Sequence, residues 1–214
     1  MPEFDAFIER LSQVQTAPDA YNQLGAGDNP YNALRRANLR CYLADVYERQ
    51  SGVVLIAEAP GYRGMRLTGV PMVSRRILRE GVPSLGMFGA DRGYQDVPEP
   101  GFEAIQGEQT ATILWSVLPE LEIVPLVWGS FPFHPHQLGK PLTNRKPRAG
   151  EVKLGEPFVR DLLEMFKPRK VIAVGNVGYG LLTEMGVPCV KIRHPAQGGK
   201  NDFVAGLRLE ARSV

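Results

Sequence analysis

The sequence predicts an α/β fold built on a parallel β-sheet. Four short apolar runs, at residues 53–57, 123–127, 171–175 and 187–192, have strand length and no polar alternation. That is the pattern of strands buried on both faces. Helical patterns lie between the runs, as βαβ units require. The length of 214 residues, 43% of them hydrophobic and 22% charged, suits a single domain with a sizeable core.

The elements can be justified in order. Residues 2–16 read as a helix, with Phe4, Phe7, Ile8, Leu11 and Val14 spaced for one apolar face. A second helix is expected from Asn29-Pro30, an N-cap followed by Pro at the first helical position, to about Glu48. Gly52 interrupts the chain before the first strand, 53–57. A short helix at 70–80 and another at 106–118 precede the strand at 123–127. Pro125 lacks an N–H, so it should sit at that strand's end or edge. A helix at 155–166 leads to the strand at 171–175. Asn176 is expected to cap a helix at 177–185. The last strand is followed by a helix near Asp202. Residues 83–107 and 131–150 are long and irregular, which in a compact domain marks functional or mobile segments.

The composition excludes several classes. Lys+Arg is 25 and Asp+Glu is 23, a net charge of +2, which fits neither a basic tail nor an acidic nucleic-acid mimic. The basic residues favour Arg, 18 against 7 Lys, and a guanidinium suits phosphate. Cys41 and Cys189 are isolated, so neither a zinc ribbon nor a four-thiolate iron–sulfur cluster is expected. No apolar run nears the roughly 18 residues of a membrane span, and the N-terminus does not read as a signal peptide. A cytoplasmic protein, monomeric and without a membrane partner, is the expectation.

Three segments could carry chemistry. Ala57-Glu58-Ala59-Pro60-Gly61 leaves the carboxyl end of the first strand, where parallel sheets bind ligands, and Arg63 and Arg66 follow. Trp128-Gly129-Ser130-Phe131-Pro132-Phe133-His134-Pro135-His136 follows the second strand. Its two histidines could pair on a metal, but no Cys, Asp or Glu lies within ten residues, and no metal site is expected. Beyond it come four basic and no acidic groups in 140–148: Lys140, Arg145, Lys146 and Arg148. The third segment, Arg193-His194-Pro195-Ala196-Gln197-Gly198-Gly199-Lys200, follows the last strand. Each has a plainer reading as a solvated loop. Gly175-Asn176-Val177-Gly178-Tyr179-Gly180 reverses the dinucleotide fingerprint and reads as close strand–helix packing.

In this order the three segments resemble the motifs of the uracil-DNA glycosylase superfamily. A first motif like GEAPG with TGIPF is matched by Ala57–Gly61 and Thr68-Gly69-Val70-Pro71-Met72. A second like WNAFPFHP is matched by Trp128–Pro135, with Asn144-Arg145-Lys146-Pro147 beyond it. The HPS/HPA loop is matched by His194-Pro195-Ala196. The resemblance spans about residues 50–210, outside the N-terminal helices at 1–48. It implies one three-layer α/β/α domain over 1–214 with a central, largely parallel four-stranded sheet. It implies hydrolysis of the N-glycosidic bond of a damaged or deaminated base flipped out of DNA, with no cofactor. By that resemblance His194 would stabilise the leaving base, and Glu58 would stabilise the sugar cation or orient water. Ala57, Ala59, Pro60, Gly61, Met72 and Gly129 would line the base. Arg63, Arg66, Lys140, Asn144, Arg145, Lys146, Arg193, Gln197, Gly198, Gly199 and Lys200 would meet DNA.

The departures matter as much. Gly129 stands where the family has a uracil-reading Asn, and Met72 where it has a stacking Phe. Gly61 replaces a bulky Tyr, and Ala59 an Asp found in other branches. Two alternatives therefore stay open: a catalytically weak or inactive DNA-binding protein of the same fold, or a small-molecule hydrolase on an α/β scaffold.

Overall fold

Residues 3–27 and 29–211 are described here in a computed structural model of the chain. In chain order the elements are α1 (Phe4–Ser12), β1 (Ala20–Tyr21), α2 (Tyr31–Arg49), β2 (Val53–Ala57), α3 (Met65–Thr68), α4 (Arg75–Glu80), α5 (Gln109–Leu121), β3 (Leu126–Gly129), β4 (His134–Pro135), α6 (Ala149–Phe166), β5 (Lys170–Val174), α7 (Gly175–Glu184), β6 (Val190–Ile192) and α8 (Lys200–Ala211). Two 3₁₀ turns, Pro83–Leu85 and Ala90–Arg92, interrupt the long irregular stretch after α4. The chain divides into two compact units.

One unit comprises Val46–Ala59, Ile113–Pro132 and Lys146–Val214, and it holds the main sheet. Four strands run in the order β3-β2-β5-β6, and every neighbouring pair is parallel. Ile56 sits opposite Trp128 on one side and Ala173 on the other, and Val174 sits opposite Ile192. Helices flank the sheet, so this is the α/β architecture the apolar runs predict. Every residue of β2 is buried, which is why that strand shows no polar alternation. The chain moves from β2 to β3 on one side and from β5 to β6 on the other. In sheets of this kind, the carboxyl ends of the strands at such a reversal, here β2 and β5, are where ligands bind. Helix α7 presses close to the sheet. A Cβ on Gly178 would lie 2.2 Å from the Ile56 carbonyl oxygen, so the glycine-rich run there serves strand–helix packing.

The other unit comprises Met1–Asp45, Pro60–Thr112 and Phe133–Arg145. Helix α1 buries Phe4, Phe7, Ile8 and Leu11. Strand β1 pairs antiparallel with β4, Tyr21 opposite His134. This unit contains a buried ionic cluster. Glu99, from the irregular 83–107 stretch, receives hydrogen bonds from Arg35 on α2, Arg66 on α3 and the Asn29 side chain.

Several boundaries move for identifiable reasons. The first helix ends at Ser12 rather than 16, because the Asn22 side chain donates to the Leu11 and Val14 carbonyls and takes over its last turn. Its expected start at Pro2 lies outside the described residues. Strand β3 begins after Pro125, shifted three residues from the apolar run. Helix α6 begins at Ala149, where the Glu151 carboxylate accepts the Arg148 N–H at 2.7 Å. Asn176 does not cap α7. The helix starts directly at Gly175, whose φ of +83° makes the turn, and Asn176 falls inside its first turn.

Candidate active site

The carboxyl edge of the four-stranded sheet gathers the polar residues of interest. Glu58 is the first residue past β2. Its position is zipped to the segment after β3: Ser130 N–H and Oγ donate to the Ala57 carbonyl at 2.9 and 2.7 Å, and Phe131 N–H donates to the Glu58 carbonyl at 3.1 Å. Its side chain is half-buried, and its carboxylate has no hydrogen-bond partner among the described residues. Burial pushes this carboxyl above its ordinary range, and the charge of Lys146 pulls it part of the way back.

His194 lies two residues past β6 and leans on the start of α7. A Cβ on Gly175 would sit 3.2 Å from the His194 Cβ, so the absence of a side chain there makes room for the imidazole. The Ala196 backbone N–H donates to His194 Nδ1 at 3.1 Å. A nitrogen that accepts cannot carry the proton, so the neutral ring holds its hydrogen on Nε2. Burial, and then the charge of Arg193, hold the imidazole below its ordinary pKa. The result is a neutral donor at an edge that also bears a half-buried carboxylate.

Gly129 ends β3 on the same edge. A Cβ there would meet the Phe131 carbonyl oxygen at 3.0 Å, the Ala59 Cα at 3.4 Å and the Glu58 carbonyl oxygen at 3.5 Å. The neighbouring backbone fills the space a larger side chain would need. Ala57 is buried at the end of β2, and Ala59 is half-buried. Lys146, Arg193 and Lys200 are exposed. Gln197 and Gly198, both exposed, turn the loop with φ of 53° and 78°, and Arg193 donates to the Gln197 carbonyl at 3.4 Å. Gly199 is buried, where a Cβ would lie 2.1 Å from the His194 carbonyl oxygen.

The remaining expected site residues lie in the other unit. Pro60 is buried, and Gly61 and Met72 are half-buried, Met72 with φ of 50°. Asn144 Oδ1 accepts the Tyr62 N–H at 2.9 Å, and its side chain lies 3.4 Å from where a Gly61 Cβ would be. Asn144 thus ties two loops of that unit together. Arg63 and Lys140 are exposed.

Two expected DNA contacts are corrected. Arg66 is buried, pairs with Glu99, and stacks between Tyr21 and Phe102 at 4.5 and 4.2 Å. Its guanidinium has no route to a phosphate. Arg145 donates to the Asp19 and His136 carbonyls and lies 3.3 Å from the Asp19 carboxylate, which commits it to the fold.

The two other histidines are buried. His134 shares Nε2 with the Thr143 carbonyl at 2.9 Å, and its pKa falls to about 4, chiefly through burial. Among the described residues no group of three or more His, Cys, Asp or Glu side chains is placed to hold a metal ion. None of the described helices is long and apolar enough to cross a membrane. Sequence reasoning missed Glu99, whose stretch shows no periodicity, and it missed Gly175 as the residue that backs the imidazole.

A parallel α/β sheet with polar residues at its carboxyl edge defines a broad class of ligand-binding folds. Within it, the chain shares its fold with a solved structure, the wild-type SMUG2 of Pedobacter heparinus. The two are 12% identical, the alignment covers 98% of each chain, and the TM-score is 0.57. No family model matches the chain, and no curated protein matches it in sequence.

Proposed function

We propose that the chain is a DNA glycosylase-like enzyme that hydrolyses the N-glycosidic bond of a flipped-out damaged or deaminated base, uracil or a related one. The observation that carries this reading is the neutral His194, held as the Nε2–H tautomer by the Ala196 N–H on the same sheet edge as Glu58. Breaking the bond between the base and the sugar leaves negative charge on the base and an oxocarbenium-like sugar. A fixed N–H aimed at the base stabilises the first, where charge develops. The Glu58 carboxylate stabilises the second or orients the attacking water. The motif resemblance and the fold shared with SMUG2 agree with this assignment.

On the sheet unit, exposed Lys146, Arg193 and Lys200 are the phosphate contacts in this reading, with Gln197 and Gly198 turning the loop that bears them. On the other unit, exposed Arg63 and Lys140 keep that role. The enzyme is read as a cytoplasmic monomer of base-excision repair without a cofactor. Oligonucleotides carrying uracil, hypoxanthine, xanthine or hydroxymethyluracil, single- and double-stranded, test it. Release of one of these bases is expected, and no abasic product from any of them removes the reading.

A second reading, DNA binding without catalysis, is favoured by Gly129. The family's base-reading amide is absent there, and even a Cβ at Gly129 would press on the Phe131 carbonyl oxygen at 3.0 Å. Salt-dependent DNA binding without base release would select it.

A further inference from the structure

We propose that a cavity at the amino edge of the main sheet, with Arg169 at its mouth, binds a small flat aromatic anion, a ring that carries a phosphate or carboxylate. The site lies wholly within the sheet unit and does not depend on the reading of the carboxyl edge as an active site.

The cavity has a volume of about 320 Å³, at the lower end of the roughly 300–1,000 Å³ of small-molecule sites. Val53, Val54 and Leu126, at the starts of β2 and β3, line it at depth, and all three are buried. Tyr47, in the last turn of α2, and Phe166, the last residue of α6, form part of its wall. Their rings meet edge to face with centroids 5.6 Å apart, which joins the two helix ends. Strand β2 puts roughly 13 Å between Val53 and Ala57, so the cavity is distinct from the edge that bears Glu58.

Arg169 gives the cavity its charge preference. The Lys170 N–H donates to the Gly52 carbonyl at 3.0 Å, which fixes the chain next to it. The Arg169 guanidinium lies against Gly52, where a Cβ would meet its Nε at 2.7 Å. A glycine with φ of +72° therefore provides the seat, and a side chain there would displace the guanidinium. That group makes one long hydrogen bond among the described residues, to the Ser51 carbonyl at 3.5 Å, and pairs with no carboxylate there. No Asp or Glu lines the cavity. Lys167 also lines it, directly after α6, where a cation suits the helix's carboxyl end. Arg169 lies beyond both helices, so that explanation does not reach it. Its open fork matches the oxygens of a phosphate or carboxylate. A bare anion would leave the apolar depth unused, and a neutral ring would leave the fork unused. One ligand with both parts uses the whole site.

The test is an NMR titration of the isotope-labelled whole chain with four probes: adenosine monophosphate, indoleacetate, adenosine and inorganic phosphate. At least one of the two ring anions should bind with a Kd of about 1 mM or tighter, moving amide signals of residues 46–54 and 165–169. Adenosine and inorganic phosphate, each with half of the required chemistry, should bind about tenfold more weakly. The tighter of the two ring anions tells whether the fork takes phosphate or carboxylate. Arg169→Ala should weaken that binding about tenfold. Arg169 is exposed, so the variant should keep its fold, which the amide spectrum itself shows. Gly52→Ala, which keeps the charge and displaces the guanidinium, should weaken binding as well. The site is overturned if neither ring anion binds at that level, if adenosine or inorganic phosphate binds as tightly as the ring anion, if Arg169→Ala binds as the parent does, or if the shifts gather around Glu58 and His194 instead. Base release enters none of these readouts, so failure of the cavity and failure of the glycosylase reading are told apart.

Discussion

Two glutamates divide the ionic chemistry of this protein. Glu99 is buried in one unit, with guanidinium groups from Arg35 and Arg66 and the amide of Asn29 all donating to it. Burial pulls its carboxyl upward, but the Arg66 hydrogen bond and the charges of Arg35 and Arg66 outweigh that and hold it below its ordinary range. Glu58 is half-buried in the other unit without a hydrogen-bond partner among the described residues, and its carboxyl is raised. Burial alone therefore does not mark a functional acid. What separates the two is satisfaction. A carboxylate saturated with donors is a structural group, and one held partly dry and unsaturated is free to act on something else.

Breaking the saturated pole should have the largest effect. Glu99→Ala leaves Arg35 and Arg66 buried without their carboxylate and should cost about 3–5 kcal/mol of stability in urea denaturation. An unfolding midpoint near that of the parent protein would refute the structural role. Acting on the open pole should change chemistry instead. His194→Ala should slow base release by about 10²–10³-fold in single-turnover assays while barely moving the melting temperature. An unchanged rate would discard the leaving-group role.

Smaller effects sharpen the contrast. Gly129→Ala forces a methyl group to within 3.0 Å of the Phe131 carbonyl oxygen and close to the backbone of residues 58 and 59. It should cost about 1–3 kcal/mol, measured by thermal melting. The smallest effect is a gain. Ionised Glu58 is disfavoured in the folded state, so its contribution to stability is present below the ordinary value of 4.5 and is lost as pH rises through its raised folded value. Glu58→Gln should then melt higher than the parent at pH 7, and the gain should vanish below about pH 4.5. Glu99 has the opposite sign. Its contribution is present above 4.5 and is lost as pH falls through its depressed folded value. A melting curve of Glu58→Gln that runs parallel to the parent's at every pH would erase the distinction.

Three strands of the sheet are legible because β2, β3 and β5 are almost wholly buried, whereas β6 is partly exposed and shorter than its apolar run at 187–192. β2 coincides with its apolar run, and β5 differs from its own by one residue. β3 starts three residues later than its apolar run, just past Pro125, whose missing N–H marks it from the sequence as an end or edge position. Glu58 and His194 could be nominated because they follow strands directly, and strand ends are positions that a sequence reveals. The fate of the arginines could not. Arg66 and Arg63 look alike in a glycine-rich turn, yet one is sealed between Tyr21, Phe102 and Glu99 while the other is exposed. That difference depends on a partner 33 residues away in a stretch without periodicity. The tautomer of His194 was equally hidden, because it depends on where the Ala196 N–H points.

The contact between His194 and Gly175 has a practical consequence. A methyl group at position 175 would have to share space with the imidazole's own Cβ, on a backbone whose φ of +83° already resists any side chain. Gly175→Ala should therefore push His194 by a few tenths of an ångström without altering a single charge or hydrogen-bonding side chain. On the proposed glycosylase reading, a variant of that kind should still bind damaged DNA while releasing base more slowly, which binding and single-turnover assays check. If the proposed function holds, such a variant becomes a bait for identifying the base by what it retains from damaged DNA.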